Sequence, residues 1–202
     1  MSDVNSSEHG RREYLAKWLS RVFHPFVLSV IALGLSVYLE TGSWTQSVLW
    51  SSICLTAFLL PFAVFVLVMV VAGRYSDLDV SIREQRHGLY VVAGVGLVLL
   101  VAIFTFGNAP LVGRAAAYAA VICTVVAAVV NRFSKISVHA MVAAGVAVVL
   151  FYLSALAGLV LTVPAALVGW SRVRLKRHTW FQVITGWSTA IACVIAVFQF
   201  LP

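Results

Sequence analysis

The sequence predicts an all-α, multi-pass transmembrane helix bundle of about seven spans. Three observations lead there. Hydrophobic residues make up 62% of the 202 positions and charged residues only 10%, far more apolar surface than a soluble core of this size could bury. The apolar residues fall in segments of membrane-crossing length. Between them, the charges are gathered into short polar islands. The formal charge is +7, from fourteen Lys and Arg against seven Asp and Glu. No extended basic face with interleaved aromatics is present, so the excess fits anionic headgroups or a phosphate substrate, with no nucleic-acid partner. Cys54, Cys123 and Cys193 stand singly within apolar segments and read as small core residues.

Residues 1–21 form a polar N-terminal segment that sets Arg11, Arg12, Lys17 and Arg21 against Asp3, Glu8 and Glu13. Tyr14, Leu15, Trp18 and Leu19 are spaced for one face of an interfacial helix. No apolar run follows its first charges closely, so it does not read as a signal peptide. Residues 22–202 are the transmembrane domain. Its first span opens at His24-Pro25, since proline is tolerated in a first helical turn, and runs to about Leu39; His24 reads as a cap. A turn over Glu40–Ser47 leads to a second span over about Val48–Ala72, with Pro61 as a kink. Leu89–Phe106 and Ala115–Val130 are two more spans. They are joined by a Gly- and Pro-containing turn, and their small residues allow close helix approach in lipid. Between His139 and Ser171 lie 31 residues, nearly all apolar; as one helix they would measure about 46 Å, too long for a bilayer core of about 30 Å. Two short spans folded back near Ser154–Gly158 are expected instead. The last span covers about Trp180–Leu201.

With seven spans, the N-terminal segment and all three polar islands share one face, and only Arg114 among the fourteen basic residues lies opposite. The positive-inside rule makes that face cytoplasmic.

The islands carry the chemistry. The first, Arg74–His87, holds Asp77, Asp79, Arg83, Glu84 and Arg86; if helical, Arg83 and Arg86 are neighbours. The second contains Asn131, Arg132, Lys135, Ser137 and His139. The third, SRVRLKRHTWFQV from Ser171, packs Arg172, Arg174, Lys176, Arg177 and His178 between two apolar segments. Cations followed by a histidine suit an anionic ligand and proton exchange near neutral pH. A helix from about Thr179 sets Gln182 one turn from His178, within reach of a ring nitrogen.

Ser171-Arg172, five residues, then His178 resembles the third signature of the type 2 phosphatidic acid phosphatase superfamily, which includes lipid phosphatases and vanadium haloperoxidases. Ser137 and His139 in ISVH resemble its second signature, Pro-Ser-Gly-His, and Arg86 resembles the arginine that closes the first. The three occur in the family's order and cover most of the chain from Arg74 onward. The resemblance implies a phosphatase-like core and a lipid phosphate or polyprenyl diphosphate substrate. It implies that His178 attacks phosphorus to form a phosphohistidine and that His139 protonates the leaving group. Arg86, Arg172 and Ser137 would hold the phosphoryl oxygens. That scheme needs no metal and no cofactor.

The chain departs from the pattern at defined points. The family's lysine, seven residues before the arginine, is Asp79 here, so Arg83 or Lys135 is the expected replacement cation. The signature's proline and glycine are Ile136 and Val138. The aspartate that orients the attacking histidine is Gln182, whose carbonyl can fix the tautomer but stabilises imidazolium less; Glu84 or Asp79 could supply a carboxylate instead. Two other readings stay open: a non-hydrolytic relative that binds anionic headgroups or carries out a transfer, and a Mg²⁺ site on Asp77 and Asp79 serving a diphosphate.

Overall fold

The computed structural model describes residues 2–200, with side chains from residue 10 onward; the side chains of Asp3 and Glu8, and the whole of Leu201, lie outside what is described. All regular elements among the described residues are helical. Helix α1 (Ser2–Val22) meets α2 (Pro25–Thr41) at a bend of 48°. His24 caps α2 as expected, its Nδ1 accepting from the Phe26 N–H at 3.3 Å, while Pro25 takes a position where no N–H is needed. The α1 face divides. Ala16, Leu19 and Ser20 are buried, with the helix packed on the penultimate helix, whereas Tyr14, Leu15 and Trp18 remain exposed.

Helix α2 ends at Gly42, whose φ of 67° gives the left-handed cap that releases the chain. Helix α3 (Trp44–Cys54) continues through a π turn (Leu55–Leu59) into α4 (Leu60–Val71). That wide turn lies just ahead of Pro61, where the proline lacks the N–H an α-helical ladder would use. The turn expected over Glu40–Ser47 shrinks to Gly42 and Ser43, because Thr41 donates back to the Val37 carbonyl at 2.7 Å. Glu40 instead reaches the start of the sixth helix and accepts from the N–H groups of Leu111 and Val112 at 2.9 and 2.8 Å. A carboxylate on an open helix N-terminus is stabilising.

Helices α5 (Arg86–Phe106) and α6 (Leu111–Val130) pack together, and α7 (Val138–Leu153) and α8 (Ala155–Arg174) form a hairpin before α9 (Trp180–Phe200). The break in the long apolar run falls at Ser154, inside the expected window, with its hydroxyl accepting from the Ala157 N–H at 3.3 Å. Gly158 permits the fold-back: a Cβ there would lie 2.4 Å from the Phe151 Cα. Five helical segments are long and apolar enough to cross a membrane, residues 10–22 with α2 make a sixth if that bent pair is one broken span, and α7 is a shorter apolar helix. The chain is a multi-pass membrane protein.

The polar islands meet at one end of the bundle. Asn131 donates to the Arg83 carbonyl at 3.1 Å, Arg177 to the Ser81 hydroxyl at 2.6 Å and Lys135 to the Arg177 carbonyl at 3.1 Å. Glu40 ties the opposite end. Accordingly, Ser76→Cys and Lys176→Cys should react with a membrane-impermeant maleimide from the same side of sealed vesicles, and Ser43→Cys from the other. Labelling of all three from one side would contradict this arrangement.

Candidate functional site

The site is organised on Arg172. As α8 ends, its carbonyl accepts from the N–H groups of both Arg177 and His178, at 3.0 and 3.2 Å, and Lys176 turns the chain with a left-handed φ of 56°. The third island is thereby wound back over the helix that carries the arginine. The Arg172 side chain is buried and donates to the Ser20 hydroxyl at 2.9 Å and to the Asp79 carboxylate at 2.8 Å. Its Nε has no hydrogen-bond partner among the described residues, an unmet donor beside an ion pair.

His178 and Gln182 meet as their spacing predicts, Nδ1 to Oε1 at 3.0 Å. The Thr179 N–H also points at that Gln182 atom, at 3.4 Å, which identifies it as the carbonyl oxygen. An oxygen that only accepts requires Nδ1 to carry the proton, leaving the Nε2 lone pair free. Burial, followed by the charges of Arg86 and Arg172, pushes the His178 pKa down to about 3, so the ring is neutral near pH 7. The Gln182 backbone carbonyl accepts from the Ser137 N–H at 3.2 Å, which docks the second island on α9. Gly186 makes room for this, since a Cβ there would lie 2.8 Å from the Ser137 carbonyl oxygen.

Arg86 is buried at the start of α5, donating to the carbonyls of Val80 and Ile136 at 2.8 and 2.9 Å, and to that of Asp79 at 3.5 Å. Val80 adopts a left-handed φ of 46°, a strained conformation for a β-branched residue and one worth about 1–3 kcal/mol. The strain lies at the residue whose carbonyl anchors Arg86. Ser137 is fully buried as the cap of α7, its hydroxyl accepting from the Ala140 N–H at 3.4 Å. Lys135 lies within the field of the same cations: burial, then the charges of Arg86, Arg172 and Arg177, depress its pKa.

Arg83 does not join this cluster. The first island is irregular until Arg86, so the two arginines do not share a helix face. Arg83 pairs with Glu84 at 3.2 Å and donates to the Phe133 carbonyl at 3.2 Å, bracing one island on another. Glu84 and Asp79 do not replace the missing orienting carboxylate either, since the described partner of His178 is Gln182. Asp79 lies instead between Arg172 and His139, its second oxygen 3.9 Å from His139 Nε2. Burial opposes its charge, but Arg172 and His139 outweigh that and lower its pKa.

One participant carried no signature. His24 packs edge-on against His139 with ring centroids 5.3 Å apart, and burial, offset by Asp79, lowers its pKa. His24, Asp79 and His139 offer ligand atoms within 4.8 Å of one another, a transition-metal donor set in kind. The surroundings fit a metal poorly. Arg172 holds one Asp79 oxygen, Arg177 adds positive charge, and the Phe26 N–H occupies the His24 Nδ1 lone pair, which leaves the proton on Nε2. Asp77 turns inward on its own loop, accepting from the Asp79 N–H at 2.9 Å and from Ser81 at 3.1 Å, so it and Asp79 do not converge as a Mg²⁺ pair.

No family model, no curated protein and no solved structure matches this chain.

The depressed His178 pKa has a thermodynamic consequence. The unfolded state binds the proton near pH 6.5, the folded state only near 3, so this group stabilises the fold above about 6.5 and the contribution is lost as pH falls toward 3. Thermal unfolding in detergent from about pH 7 to about pH 4 should show a falling Tm for the native protein and a shallower fall for His178→Ala. Parallel curves would contradict the assignment.

Proposed function

We propose that the protein is an integral-membrane lipid phosphate or polyprenyl (di)phosphate phosphatase, a divergent relative of the type 2 phosphatidic acid phosphatases. The observation that carries the reading is the state of His178: a neutral imidazole with its proton fixed on Nδ1 by Gln182 and its Nε2 free, in the field of Arg86 and Arg172. A cationic surround attracts a phosphate, and a neutral imidazole is the nucleophilic form.

In this mechanism the His178 Nε2 forms a bond to phosphorus as the P–O bond to the lipid breaks. The electron pair goes to the leaving oxygen, and His139 delivers its proton there. Water then attacks the phosphohistidine and the N–P bond breaks, while His139 takes up the water proton. Arg86, Arg172, Lys135 and the Ser137 hydroxyl spread the charge of the equatorial oxygens. Arg83 serves the site by holding its loops. Asp79 has two opposing effects: its carboxylate faces and orients the His139 ring, yet it occupies the Arg172 donor that a phosphoryl oxygen would use. The basic islands face the cytoplasm on this reading.

Purified protein should hydrolyse lipid phosphates in EDTA, with activity abolished in His178→Ala and inhibited by vanadate. Binding without turnover would favour the non-hydrolytic relative, and loss of activity in EDTA would favour a metal-dependent enzyme. Asp79→Asn should bind vanadate more tightly by about tenfold, a gain of about 1.4 kcal/mol, while lowering kcat. A change in kcat with no change in vanadate affinity would refute the role given to Asp79.

A further inference from the structure

Behind the polar cluster runs a cleft of about 260 Å³ among α2, the α3–α4 helix, α5, α6, α7 and α9. Its near end adjoins the candidate site through sequence neighbours. Pro25 follows His24, Val138 stands between Ser137 and His139, and Tyr90 lies one turn beyond Arg86. Along α5 the lining extends from Leu89 to Phe104, and those fifteen steps at 1.5 Å give about 22 Å, most of a bilayer core. Small residues keep the passage open midway, among them Ala93, Ala117, Ala120 and Gly145. At the far end Phe104 is 1% exposed and packs edge-on against Trp50, ring centroids 5.3 Å apart, with the Gly113 backbone on its other side.

We propose that this cleft seats one linear hydrocarbon chain of the substrate, and that Phe104, backed by Trp50, sets the longest chain accepted. The inference rests on the phosphatase reading and narrows its substrate class. The occupant follows from continuity: a phosphate held among Arg86, Arg172 and His178 has the near end of the cleft as its adjoining apolar surface. A volume of about 260 Å³ drawn out over such a length is a single-file passage. One alkyl or isoprenoid chain fits it, and a diacyl lipid leaves a second chain without a seat. Apolar walls with few polar groups discriminate by length and bulk, about tenfold or more in kcat/KM for a methylene gained or lost.

The test compares n-alkyl phosphates from hexyl to hexadecyl, and dihexadecanoyl phosphatidate, in mixed detergent micelles. For the native protein kcat/KM should rise with chain length to a limit and be lower for the diacyl lipid than for hexadecyl phosphate. Ala117→Phe should reduce the hexadecyl-to-hexyl ratio of kcat/KM by about tenfold or more, and Phe104→Ala should move the limit to longer chains. A ratio and a limit that neither substitution shifts, or diacyl turnover equal to that of the single-chain lipid, would overturn the proposal. If no phosphate of any length is hydrolysed, the phosphatase reading fails separately from the cleft. Hexadecyl phosphate brominated at its tail end should then still quench tryptophan fluorescence more in the native protein than in Trp50→Phe, and equal quenching would count against the cleft.

Discussion

A guanidinium buried at the end of a helix bundle must find partners, and Arg172 finds them in residues 152 and 93 positions away along the chain, Ser20 and Asp79. Removing one member of a buried pair leaves an uncompensated charge, typically at a cost of about 3–5 kcal/mol. The Arg172 contacts with Ser20 and Asp79 therefore restrict where the N-terminal helix, the first island and α8 can sit. Winding the third island onto the Arg172 carbonyl brings His178 back over the same point. The convergence of the islands requires this arginine to be satisfied.

The same tie makes sense of a substitution that looks unfavourable in the sequence. An aspartate where the resembled signature has lysine would set an anion in the cluster, but here it pairs with Arg172 and faces His139. Lys135, held by the Arg177 carbonyl at 3.1 Å, adds positive charge from another island. The cluster thus keeps its cationic character while the charges are redistributed among different loops. Behind it lies the apolar cleft, so a polar cluster and an apolar surface adjoin at this end of the bundle.

Much of this was legible in local patterns. The fold-back at Ser154, the pairing of His178 with Gln182 and the gathering of basic residues at one end follow from span length, helical spacing and charge placement. What escaped depends on contacts between distant segments. Asp79 reads in the sequence as an orienting carboxylate or a Mg²⁺ ligand, and its pairing with Arg172 arises only when α8 brings the arginine to it. His24 has an ordinary capping role that accounts for it completely, and its approach to His139 arises from the packing of α2 on α7. Arg83 and Arg86 are neighbours only on a helical phase, and the island stays irregular until Arg86. The exposed aromatic face of α1 was only partly anticipated, since Leu19 belongs to the buried side with Ala16.

The central claim is that the free Nε2 of His178 is a nucleophile toward phosphorus. Rapid quenching during turnover of a ³²P-labelled lipid phosphate tests it most directly. The account predicts a labelled protein whose phosphate is lost in acid and retained in alkali, and which maps to the peptide containing His178. Label on another residue, or turnover with no phosphorylated protein at any quench time, would contradict it.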